Sequence, residues 1–257
     1  VGTTSRATAT AAGIDAGPGS DFIESTGAIS ADATATGVAV AASITGKGIA
    51  AAFDEVWDGC TNSTAVAMGI SAGSGPEADT ILNSGDITAT SSATTVAVDA
   101  AITIKGISAA TSPATTTATA VGIDAGAGSD VIESKGAITA DASATGVAVA
   151  ASITAMGVAG STDAVWDGGT DTTAVAVAID GGEGDDSITS TGNILATAEA
   201  TTVAVDAAVT VKGVALAASA SSTTARALGI SGGAGNDTID STGTITSDAS
   251  AMGVGVA

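Results

Sequence analysis

A long internal repeat constrains this chain more than any other feature. The segment GIDAGPGSDFIESTGAISADATATGVAVAASIT at 13–45 returns almost unchanged at 122–154, and TTVAVDAAITIKGIS at 94–108 returns as TTVAVDAAVTVKGVA at 201–215. The two returns come at nearly the same distance along the chain. They describe stacked copies of one supersecondary unit, since no single unit can bury its own apolar face. The long repeat subdivides into shorter units of roughly 25–30 residues, within the range of solenoid repeats. These open near Thr10, Thr36, Thr64, Thr94, Thr119, Thr145, Thr173, Thr201 and Arg226.

Each shorter unit has one grammar. An alternating run such as Val96-Ala97-Val98 is followed by a second run such as Val131-Ile132-Glu133-Ser134, then a glycine, then a third run such as Ala137-Ile138-Thr139-Ala140. Period-two alternation is a strand signal and sends successive side chains to opposite faces. The expected fold is all-β, a parallel β-helix (β-solenoid) of about 25–30 residues per coil. Three short strands per coil and a four-coil super-repeat of about 108 residues complete the expectation. Counted that way the rod is roughly 45–50 Å long, at about 4.8 Å per coil. Glycine recurs once per unit at Gly27, Gly48, Gly85, Gly106, Gly136, Gly157, Gly192, Gly213 and Gly243. These turn glycines are expected to stack at one corner with positive φ, which glycine alone adopts without strain.

A single continuous solenoid is expected over residues 1–257, with super-repeats near 10–118 and 119–225 and a partial one at 226–257. Both ends fall inside a unit, so the chain reads as a fragment of a longer array or as one that meets another copy end to end. Val and Ile are expected inside. That places Ala39, Ala97, Ala148, Ala176 and Ala204 on an outer packing face, a smooth strip suited to an identical neighbour.

Composition removes most chemistry. There is no His, one Cys and no Tyr, and six basic residues stand against 27 acidic ones for a net charge of −21. Imidazole catalysis, zinc sites and disulfide frameworks are excluded, and nucleic acid or an anionic membrane is disfavoured as a partner. Residues 142–162 lack charge, but their alternation of β-branched and small side chains describes strands and not a transmembrane segment.

Five acidic, glycine-rich stretches interrupt the strands: AGPGSD at 16–21, AGSGPEAD at 72–79, AGAGSD at 125–130, GGEGDD at 181–186 and GGAGND at 232–237. Extended through the next strand, GGEGDDSIT and GGAGNDTID resemble the RTX (haemolysin-type) calcium-binding repeat. The resemblance covers only these loops. It implies Ca2+ as the cofactor, with Asp21, Asp79, Asp130, Asp186 and Asp237 as carboxylate ligands, helped by Asp15, Asp124 and Asp180 from the preceding strand. With one coil per short unit the loops sit two coils apart, about 10 Å, so each ion would be held within one loop. The opposing reading is a glycine-rich turn with solvated carboxylates. A second insertion places Trp57 and Trp166 at equivalent positions, read as a lid on an apolar seam or as a sugar-stacking platform; Cys60 stands where the other copy has Gly169.

Every acidic cluster has a repeat-related copy, so no unique catalytic constellation is visible and no enzyme is expected. The leading expectation is a structural and interaction protein, an extracellular or cell-surface β-solenoid of the adhesin or filament kind. Its partners would be copies of itself, packed laterally or end to end, with a glycan or other surface ligand left open. The alternatives are a calcium-binding RTX-like module of a large secreted protein, a carbohydrate-active β-helix enzyme, and an ice-binding solenoid built on Thr-x-Thr pairs such as Thr88 and Thr90.

Overall fold

A computed structural model describes residues 2–53, 61–162 and 169–257. The described chain winds through five coils. The first is β1 (Arg6–Asp15), β2 (Phe22–Ser25) and β3 (Ile29–Phe53); the second is β4 (Thr61–Ser71), β5 (Thr80–Asn83) and β6 (Ile87–Thr111). The third is β7 (Ala114–Asp124), β8 (Val131–Ser134) and β9 (Ile138–Thr162); the fourth is β10 (Thr170–Asp180), β11 (Ser187–Ser190) and β12 (Ile194–Ala218). The fifth is β13 (Ser221–Ser231), β14 (Thr238–Ser241) and β15 (Ile245–Val256). Equivalent strands pair in parallel, giving three five-stranded sheets: β1-β4-β7-β10-β13, β2-β5-β8-β11-β14 and β3-β6-β9-β12-β15. The fold is a parallel β-helix with three strands per coil.

The coil is twice the expected length. Phe22 pairs with Thr80, and Ile87 pairs with Ile138. One coil therefore contains two of the short sequence units, and the super-repeat is two coils, not four. Five coils make a stack about 20 Å high between its first and last rungs at ~4.8 Å per step, which replaces the much longer rod expected from the sequence. The two units of a coil share a grammar because they form facing walls. Thr64-Ala65-Val66-Ala67 lies in the first sheet, and Thr94-Thr95-Val96-Ala97 lies in the long strand opposite.

The alternation is as expected, but its phase is inverted. Alanines point in: Ala65, Ala67, Ala89, Ala118, Ala120, Ala140, Ala174 and Ala196 are all fully buried. Valines at the neighbouring positions point out, with Val38 and Val40 both more than half exposed. The reason is the gap between the walls. Ser91 Oγ donates to the main-chain oxygen of Ala65 at 3.0 Å, Ser63 Oγ to that of Thr94 at 2.7 Å, and Thr95 Oγ1 to that of Thr115 at 3.1 Å. One short side chain spans the interior, so nothing larger than Thr fits between the walls. Larger residues gather only where three sheets meet, in columns through Ile70 and Ile123, Ile81 and Ile132, and Ile87 and Ile138, all buried.

The long strands of the third sheet fold back near their ends. Thr103 Oγ1 donates to Ile107 O and Thr154 Oγ1 to Val158 O, both at 3.2 Å, while Ser161 Oγ reaches Ala150 O at 2.8 Å. Gly48, Gly106, Gly157 and Gly213 make this bend, with φ from 112° to 146°. The remaining turn glycines, Gly27, Gly85, Gly136, Gly192 and Gly243, form a second column between the second and third strands, without positive φ. A Cβ on Gly85 would strike the carbonyl of Gly27 in the coil below. The single glycine corner is thus two corners, one set by φ and one by close backbone approach.

Replacing Ala120 with Leu, inside the gap, is expected to cost about 3 kcal/mol through overpacking. Thr117→Val, on the outer face of the same strand, should change stability by less than about 0.5 kcal/mol. Urea denaturation of both variants checks the phase assignment.

Candidate functional site

Two surfaces collect the chemistry that the repeat offers. The first is the acidic corner between the first and second strands of each coil. Its loops stack on every coil, one step apart and not two, with Ala127, Glu183 and Ala234 bridged in parallel between them. Asp15 and Asp124 end their strands and accept the N–H of Gly17 and Gly126 at 3.2 and 3.1 Å, tight Asx turns within their own loops. Asp180 pairs in register with Asp124.

The aspartates that close the loops form a ladder. Asp79 Oδ1 accepts the main-chain N–H of Asp21 at 2.7 Å, and Asp130 Oδ1 that of Asp79 at 2.7 Å. Asp186 Oδ1 accepts that of Asp130 at 2.8 Å, and Asp237 Oδ1 that of Asp186 at 3.0 Å. Each carboxylate satisfies a backbone donor of the coil before it, where strand pairing has lapsed. Asp79, Asp130 and Asp186 are buried, so these are not solvated turn charges. The Oδ2 atoms of Asp21, Asp130 and Asp186 are buried without a hydrogen-bond partner.

Burial pushes Asp130 up to about 6; the Asp79 N–H opposes this, and the charges of Asp186 and Asp79 add to it. Burial also raises Asp186, with Asp237, Asp185 and Asp180 adding to the rise, and it raises Asp124, next to Asp180. Among the described residues no group of three or more acids or cysteines is arranged to hold a metal ion. A cation at this corner would find the unpartnered Oδ2 atoms of Asp130 and Asp186 on successive rungs.

The second surface is the outer face of the long-strand sheet. Ala39, Ala97, Ala148 and Ala204, expected here, lie inside this sheet, and Ala176 lies inside the first one; all five are buried. The lysine replacements that would probe an outer alanine strip would instead destroy the interior. The exposed strip is Val and Ile. Val38 pairs with Val96 and Val96 with Val147; Ile44 pairs with Ile102 and Ile102 with Ile153. Even within the stack Ile102 and Ile153 are 37% and 43% exposed. The period-two pattern made this face readable, but its direction depended on the gap between the walls.

Elsewhere among the described residues little converges. A shallow depression of about 170 Å³ over the second sheet is lined by Glu24, Asn83, Glu133 and Lys135 among others, and Lys135 pairs with Glu133 at 2.8 Å. Asp99 and Asp206, which the sequence did not single out, are buried inside the folded-back arm, where Ser161 Oγ donates to Asp206 Oδ1 at 3.0 Å. Their only signal was an Asp replacing Ala in otherwise repeated strands. Trp57, Cys60 and Trp166 lie outside the described residues. No helix among the described residues is long and apolar enough to cross a membrane. No family model, curated protein or solved structure matches the chain.

The raised carboxyls set a pH dependence. A carboxyl whose folded pKa exceeds its unfolded value binds its proton more tightly in the folded state, so stability rises as pH falls through that interval. The melting temperature is expected to increase between pH 7 and pH 5, as Asp130 protonates near 6. Asp130→Asn keeps the Oδ1 acceptor and removes the charge. Calorimetry should show it melting above the parent at pH 7 and closer to it at pH 5; a lower melting temperature at pH 7 would contradict the ladder's electrostatics.

Proposed function

We propose that this chain is a structural and interaction protein, a repetitive extracellular or cell-surface β-solenoid that forms part of an adhesin or filament. One observation carries the reading. The outer face of the long sheet repeats outward-facing Val and Ile coil after coil, half-buried at Val96, Val147 and Val203 and exposed at Val38, Ile44, Ile102 and Ile153. Soluble proteins rarely leave so continuous an apolar sheet face uncovered, because it invites association. A property repeated on every coil suits contact along a surface and not chemistry at a point.

The same repetition argues against catalysis. Among the described residues, the depression near Lys135, about 170 Å³, is below the ~300 Å³ of ordinary ligand pockets. Placement outside the cell rests on the resemblance of the acidic loops to RTX repeats and on the adhesin-like composition.

Immunogold electron microscopy of the source cells, with the full-length protein in place, tests the proposal. Label on surface filaments or on projections from the cell is the expected result. Dispersed cytoplasmic label would overturn it.

An RTX-like calcium module is the second reading, favoured by the unpartnered, buried Oδ2 atoms of Asp130 and Asp186. Calcium would supply positive charge to a column of like-charged rungs. Under this reading, titrating calcium into chelator-treated protein raises the melting temperature of the parent and not of Asp130→Asn. Equal, negligible responses in both would dismiss it.

A further inference from the structure

Across the outer face of the long-strand sheet, charge is distributed in a specific order. The border nearest the second sheet carries Asp32, Asp141 and Asp248, in one row with Thr90 and Thr197. The opposite border, at the glycine bend, carries Lys47, Lys105 and Lys212, in one row with Met156. Half of the chain's six basic residues therefore stand in one row at the bend that borders this face. Among the described residues none of these lysines meets a carboxylate within ion-pair distance, the one such pair being Lys135 with Glu133. Between the borders run the uncharged Val and Ile columns, of which Val40 is 61% and Ile44 78% exposed.

We propose that this face binds the same face of a second copy of the chain, about a two-fold axis running along the column Val40, Val98, Val149 and Val205, parallel to the solenoid axis. The inference rests on the self-associating reading above and specifies its partner and geometry. Asp32 precedes Val40 by eight residues and Lys47 follows it by seven. At about 3.3 Å per residue these are ~26 Å and ~23 Å along an extended strand. The spacing is the same from Asp141 to Val149, from Val98 to Lys105 and from Val205 to Lys212. Rotation about the valine column reverses strand direction and lays each lysine border on the partner's acidic border. A two-fold axis along the strands would instead set lysine on lysine and aspartate on aspartate.

The coil-by-coil pattern fits the same axis. Lys105 and Lys212 belong to the second and fourth coils, whose own acidic-row residues are Thr90 and Thr197. Across the axis Lys105 faces the partner subunit's Thr90, flanked one coil step away by the partner subunit's Asp32 and the partner subunit's Asp141. Lys212 likewise faces the partner subunit's Thr197, between the partner subunit's Asp141 and the partner subunit's Asp248. Each of these lysines thus sits between two carboxylates. The overlapping face measures roughly 50 Å by 20 Å, about 1,000 Å² per copy, above the ~800 Å² per partner of a standard stable interface. An anionic lipid surface is a poorer occupant, given the net charge of −21.

Sedimentation velocity of the full chain at tens of micromolar tests the pairing. The parent is expected to sediment as a dimer or larger assembly, weakened by salt. The outer-face variant Val98→Lys, Val149→Lys and Val205→Lys should be monomeric with unchanged circular dichroism. Two charge-reversed triples, one with Asp32→Lys, Asp141→Lys and Asp248→Lys and the other with Lys47→Glu, Lys105→Glu and Lys212→Glu, should each self-associate about 100-fold more weakly. Mixed together, they should pair again. A monomeric parent, a valine triple that associates like the parent, or a charge-reversed mixture that fails to recover pairing each overturns the proposal. None of these outcomes decides the surface localisation, which the imaging test reads separately.

Discussion

The gap between the two facing walls is the constraint on which the rest of this solenoid depends. A serine hydroxyl on one wall reaches a main-chain oxygen on the other, so the gap between the two facing walls is filled by Gly, Ala, Ser and Thr. Each buried alanine contributes little, since burial scales with apolar area at roughly 25 cal/mol per Å². The compensation is continuity: parallel ladders run through every coil, and the same small contact recurs at each step. The bulky side chains that an ordinary core would absorb have nowhere to go but outward, or into the widened corner where three isoleucine columns meet. Even there space is short, for a Cβ on Gly69 or Gly122 would strike Ile87 or Ile138 and a backbone carbonyl.

The same tightness explains why the sequence repeats every two coils and not every one. At one inward position the coils alternate Gly37, Thr95, Gly146, Thr202 and Gly253, so a larger residue is always stacked between two glycines. The space that Gly37 leaves is taken by Ser63 Oγ, and the space at Gly146 by Thr172 Oγ1. At a second position Ala41, Asp99, Ala150 and Asp206 alternate, and the buried aspartates fall on the same coils as the threonines. Each position carries its larger residue on alternate coils only, and a two-coil period is the shortest that satisfies both.

This packing also marks what could be read without coordinates. Repetition and period-two alternation identify parallel strands stacked in register, because both are local properties of the chain. The acidic loops were locatable for the same reason, and Asp21, Asp79, Asp130, Asp186 and Asp237 do converge on one column. Coil length was not local. Two half-coils with nearly identical grammar read as two coils until pairing shows that Thr64 stacks on Thr117 and not on Thr94. The phase of the alternation was not local either. Val-Ala-Val suits a valine core or an alanine core equally well, and only the distance to the opposite wall decides between them.

Charge follows from the same geometry. Stacking identical rungs about 4.8 Å apart places like beside like along every column, and a chain with 27 acidic residues cannot avoid acidic columns. At the corner the fold answers by burying the column and turning each Oδ1 onto a backbone N–H of the coil before it. On the long sheet it answers by interruption: Asp32, Asp141 and Asp248 are separated by Thr90 and Thr197, which halves the density of charge along that row. The lysine row on the far border needs no such spacing for its own sake, yet it too is uneven, with Met156 on the third coil, where the opposing row carries Asp141. Under the pairing proposed above, these two rows, eight and seven residues from the valine column, would meet across the two-fold axis.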